Sequence, residues 1–71
     1  MLPKFLYTFF ILKLFGNNNK IEKSLLIFQL QKIKFSFHVD WNQTYHFANK
    51  SGLIYEKKNF TYLSNIGKSL Q

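Results

Sequence analysis

The chain has 71 residues, with ten lysines, no arginine and three acidic side chains, for a net charge of +7. It has no cysteine, which excludes disulfides and thiolate zinc sites, and its glycines, Gly16, Gly52 and Gly67, stand too far apart for a glycine-rich phosphate loop. A hydrophobic content of 46% argues against disorder, but a chain this short buries only about 60% of its unfolded surface, so one small, marginally stable domain is expected.

Residues 1–15 are the most apolar stretch, interrupted by Lys4, Thr8 and Lys13. They fall short of the roughly 20 apolar residues that cross a bilayer, and no small residues offer a signal cleavage site. A helix is expected here, either buried against the rest of the chain or lying in a membrane interface with its lysines snorkelling. Gly16, Asn17, Asn18, Asn19 and Lys20 then form a linker of turn-favouring residues. The run from Ser24 to Gln31 suits a buried strand or a short helix opened by Ile21, Glu22 and Lys23, and its periodicity does not arbitrate.

From Ile33 to Trp41 every odd residue is apolar and every even one polar. That pattern predicts a half-buried strand, with Ile33, Phe35, Phe37, Val39 and Trp41 inside and Lys34, Ser36, His38 and Asp40 in water. Asn42 and Gln43 read as a turn, and Thr44 to Phe47 as renewed extended chain with Tyr45 and Phe47 on one face. Asn49 to Gly52 breaks the chain again. Leu53 to Tyr55 and Phe60 to Leu63 flank Glu56, Lys57, Lys58 and Asn59, which predicts a hairpin with a four-residue loop. The tail from Ser64 to Gln71 has little apolar content and is expected to fray.

Ser36, His38 and Asp40 have the residue types of a hydrolytic triad. On one strand face, however, they would stand about 6.5 to 7 Å apart, beyond hydrogen-bond reach. His38, Asp40, His46 and Glu56 match no dedicated metal spacing. No catalytic residue, metal or cofactor is therefore expected, and the chain reads as non-enzymatic. Asn42, Asn49 and Asn59 each begin an acceptor pattern for N-glycosylation, which matters only inside a secretory lumen.

The fold expected is α+β: an apolar N-terminal helix (1–15) packed on a small antiparallel sheet with a C-terminal hairpin, residues 21–71 forming a mostly-β module. The leading functional expectation is a small basic protein associated with an anionic membrane surface through residues 1–15, with Leu2, Lys4, Phe5, Phe9, Phe10 and Lys13 in contact, since anchoring usually takes an apolar segment plus positive charge. This would make it membrane-peripheral, ahead of soluble intracellular or secreted. The alternative is a soluble, sequence-nonspecific nucleic-acid binder using Lys32, Lys34, Lys57 and Lys58, because lysine without arginine attracts phosphates but reads few base edges. Lysines interleaved with aromatics between Tyr55 and Tyr62 suit a strand platform that stacks bases. The alternation at 33–41, by contrast, sends Phe35 and Phe37 into the core, away from Lys34. A third explanation is compositional: Phe, Lys, Asn, Ile, Leu and Tyr dominate, as an AT-rich genome produces without selection, even in a chance or lineage-restricted reading frame with no defined function.

Overall fold

The computed structural model describes residues 4–33 and 38–71. Helix α1 spans Lys4–Phe15, strand β1 Lys20–Glu22, helix α2 Lys23–Gln31, helix α3 Trp41–Lys50, strand β2 Ile54–Lys57, strand β3 Phe60–Leu63 and helix α4 Asn65–Leu70. The strands form one antiparallel sheet in the order β1-β3-β2. The chain is α+β, with helices packed on one sheet and a hairpin toward the C-terminus.

Helix α1 is apolar almost all round, the pattern of a helix buried in a core. Tyr7, Thr8, Ile11, Leu12 and Phe15 make a stripe at helical spacing and are buried, while Phe9, Phe10 and Leu14 pack on its flanks and Lys13 is exposed. The stripe meets α3 above all, where the Trp41 ring makes T-shaped contacts with Tyr7 (6.2 Å between centroids) and Phe10 (6.3 Å). Gly16 ends α1 at φ +56°, a left-handed conformation that favours glycine. Gln71 then donates through Nε2 to the carbonyls of Leu12 (2.9 Å) and Gly16 (2.7 Å), satisfying acceptors that a helix C-terminus leaves open.

The segment 33–41 departs from the expected strand. Residues 34–37, including Phe35 and Phe37, lie outside the described residues; 38–40 have no regular structure; and Trp41 opens a helix. Asp40 caps it, its Oδ1 accepting from the Gln43 N–H at 3.1 Å, so Asn42 and Gln43 form a first helical turn instead of a loop. Thr44 to Phe47 is likewise helical. Trp41, Thr44, Tyr45 and Ala48 recur at helical spacing and are buried, whereas Phe47 is 38% exposed, opposite Tyr45. Ile33 and Val39 are partly buried against the core, and His38 and Asp40 are exposed. Helix α3 closes on Gly52 at φ +81°, with Leu53 N–H donating to Ala48 (3.0 Å) and Gly52 N–H to Asn49 (3.1 Å), the paired bonds of a Schellman cap.

The run 24–31, open between strand and helix on sequence, is helical, burying Leu26 and Leu30 and leaving Leu25 and Phe28 exposed. Two further corrections concern the remaining segments. Residues 21–71 are not mostly β, since α2, α3 and α4 occupy more of them than the strands do. The tail is docked: Ser64 caps α4 by accepting from Gly67 N–H at 3.0 Å and donates to the Leu53 carbonyl at 2.8 Å. Gly67 is buried so close to the Leu53 carbonyl that no Cβ fits between them, which accounts for a glycine inside a helix despite its entropic cost.

Candidate nucleic-acid interface

The hairpin loop has two residues, not four, because Lys57 pairs with Phe60 and Glu56 with Thr61. Lys58 takes φ +57° to close it, an uncommon conformation for a residue with a side chain. This tight turn sets which side chains share a face. Side chains alternate along a strand, so the register Lys20–Tyr62–Tyr55 makes one cross-strand row, and Glu22–Phe60–Lys57 a second on the same face. Between them, on the opposite face, lies the row Ile21–Thr61–Glu56, turned toward the helices.

The inner row is tied down by hydrogen bonds. Tyr45 on α3 donates its hydroxyl hydrogen to Glu56 Oε1 (3.0 Å), so the Thr61 hydroxyl, 2.5 Å away, donates to the Tyr45 oxygen. Lys23 Nζ reaches the same Glu56 oxygen at 3.1 Å and lies 5.2 Å from the Tyr45 ring centroid. Burial pushes the Tyr45 hydroxyl above its ordinary pKa; the bond from Thr61 opposes this, and the neighbouring Glu56 carboxylate reinforces it. Glu56 is held below the usual carboxylate range, first by the Lys23 ammonium and then by the bond from Tyr45.

The outer face carries its aromatics in water. Tyr55 is 49% exposed and stacks on Tyr62 with the rings 6° from parallel and centroids 5.2 Å apart. Phe60 and Tyr62 are partly exposed, and the Lys20 ammonium sits 4.9 Å from the Phe60 ring centroid. Lys20, Lys57 and Lys58 are all exposed around these rings, while Glu22 accepts from the Ser24 hydroxyl at 2.6 Å. Beside the sheet, a groove of about 770 Å³ runs between α2 and the hairpin turn, with Lys23, Phe28, Gln31, Glu56, Lys58 and Asn59 among its walls.

Of the lysines expected at a nucleic-acid surface, Lys57 and Lys58 stand at the hairpin end of this face. Lys32 follows α2, over the Phe28 ring (4.4 Å), and Lys34 lies outside the described residues. Of the expected membrane contacts, Leu2 lies outside the described residues, Lys4 and Phe5 fall in the first turn of α1, Phe9 and Phe10 pack against the core, and Lys13 is exposed. Among the described residues no helix is long and apolar enough to cross a membrane. His38, Asp40 and His46 are exposed with Asp40 engaged as a cap, Ser36 lies outside the described residues, and the described residues contain no cluster of three metal-ligand side chains. Asn42, Asn49 and Asn59 are exposed.

Sequence reasoning placed Tyr55 to Tyr62 on one candidate platform but missed Lys20, which falls in the expected linker and joins this face only through the pairing of Lys20 with Tyr62. The hairpin register also differs: a four-residue loop would pair Tyr55 with Phe60, whereas Tyr55 pairs with Tyr62. Comparison with protein families, with curated proteins and with solved structures gives no match to this chain.

Proposed function

We propose that this chain is a non-catalytic, sequence-nonspecific nucleic-acid-binding protein that works through the outer face of its sheet. The observation that supports this reading is one surface on which three aromatic rings are interleaved with Lys20 and Lys57, while the hydrogen-bonded face behind it holds the fold. Lysines draw phosphates as mobile point charges, and the absence of arginine removes the usual bidentate reader of guanine, so affinity is electrostatic and tolerant of sequence.

Fluorescence anisotropy of a labelled oligonucleotide against salt tests the reading. Replacing Lys20, Lys57 and Lys58 with glutamine together should flatten the slope of log K against log salt by about two to three, roughly one for each phosphate that the variant no longer neutralises. An unchanged slope and affinity would remove the sheet face from the interaction.

A second reading, peripheral association with an anionic membrane surface through residues 1–15, draws on Lys13 and on Phe9, Phe10 and Leu14 at the flanks of α1. It asks α1 to meet lipid with its flanks while its buried stripe stays in the core, and it ranks second for that reason.

A further inference from the structure

The outer face of the sheet contains more aromatic surface than a phosphate-binding patch needs. Neutralising phosphates takes lysines alone, and an exposed tyrosine stack contributes little to folding. Yet Tyr55, Tyr62 and Phe60 occupy three of the six outward positions, and the central strand β3 supplies two of them. We infer that this face selects unpaired bases: it binds single-stranded nucleic acid, running across the strands, in preference to duplex. The inference rests on the nucleic-acid reading above and specifies its substrate.

Three features support it. Tyr55 and Tyr62 are already a near-parallel stack, so an incoming base extends an existing column of rings instead of ordering one, and every base has a face that suits it. In a duplex those faces are covered by neighbouring base pairs, which leaves the lysines alone to make contact. Strands about 4.8 Å apart put β1 and β2 about 10 Å apart, a span that a short run of single-stranded nucleotides crosses. Along that path Lys20 stands at one edge and Lys57 and Lys58 at the other, so phosphates meet a cation on entering and on leaving. Lys20 rests against Phe60 in the free protein. A phosphate that draws its ammonium away uncovers the Phe60 ring for a further base.

The discriminating experiment is an anisotropy titration of the intact chain with a mixed-sequence 12-nucleotide single strand, as DNA and as RNA, and with the corresponding 12-base-pair duplex. The single strands should bind at least tenfold tighter than the duplex. Replacing Tyr55 and Tyr62 with threonine, which keeps β propensity, should weaken single-strand binding by about 10- to 100-fold and duplex binding far less. Circular dichroism checks that this variant is folded, and Tyr55→Thr alone, at the exposed edge strand, should give about a fivefold loss if the double variant is not. Equal affinity for single strand and duplex, with neither altered by the tyrosine substitutions, would overturn the single-strand inference while the electrostatic reading survived. No binding to any of the oligomers would overturn both.

Discussion

On the inner face of the sheet, Ile21, Thr61 and Glu56 form a cross-strand row against the helices, and Ile54 and Leu63 pair beyond them. One position along each strand, Lys20, Tyr62 and Tyr55 form a row in water. The inner residues are small, aliphatic or hydrogen-bonded into α3, whereas the outer ones are large rings and lysines, with Glu22 the one carboxylate among them. On the proposed reading, the short strands have their alternate positions divided between holding the chain together and meeting a nucleic acid. The same division has a counterpart in α1, whose stripe is given over entirely to the core. Apolar content therefore does not by itself mark an interaction surface in this molecule; the surface proposed here is marked instead by large apolar rings left on a face that the fold does not cover.

Adjacent substitutions should separate the two roles. Ile54, 1% exposed, is inner; Tyr55, 49% exposed, is its outer neighbour. Ile54→Ala should cost about 2 to 5 kcal/mol, a large share of the stability of so small a domain, whereas Tyr55→Ala should cost about 1 kcal/mol, the loss of one solvent-exposed ring pair. Urea denaturation reads both, and similar midpoints for the two variants would erase the distinction between the faces. Tyr45→Phe should fall between them, at about 1 to 3 kcal/mol, because it leaves the buried Thr61 hydroxyl without its acceptor.

How much of this was readable beforehand depends on how local the deciding interactions are. Helix α1, the boundary at Gly16, the break at Gly52 and the hairpin follow from residues within a few positions of one another. The alternation at 33–41 misled because a period of 2 says only that a strand would be half-buried if it had a partner. The sheet instead pairs its central strand, Phe60–Leu63, with Lys20–Glu22, a segment too short to show any period. A competing signal lay in the same stretch: Asp40 followed by Gln43 at the spacing of a capping box, ahead of Trp41, Thr44, Tyr45 and Ala48 at helical intervals. Helix α4 was illegible for the opposite reason. Its six residues are held by Gly67 against Leu53 and by Gln71 on the α1 carbonyls, contacts that no local window contains.

The smallest effect expected is also the one that sharpens the comparison most, because it concerns Glu56, the inner-row residue at the edge. Its pKa is lowered in the folded protein by Lys23 and Tyr45, so the unfolded chain takes up a proton at higher pH than the folded one. The stability this contributes is fully present above about pH 4.5, the ordinary value, and is lost as pH falls through the lower folded value. Tyr45 runs the other way: raised mainly by burial, it contributes stability below about pH 10 that is lost as pH climbs through the folded value. With Lys23 and Glu56 both partly exposed, Glu56→Gln should cost under about 1 kcal/mol at neutral pH. The difference in urea midpoint between the native chain and Glu56→Gln should then shrink as the pH is taken below 4.5. Tyr45→Phe should also lessen the loss at alkaline pH, since it removes the hydroxyl. The nucleic-acid binding proposed for the outer face should persist in both variants at neutral pH. If Glu56→Gln instead weakened binding while leaving the midpoint in place, the carboxylate would belong to the interface, and the division between the two faces would fail at its edge.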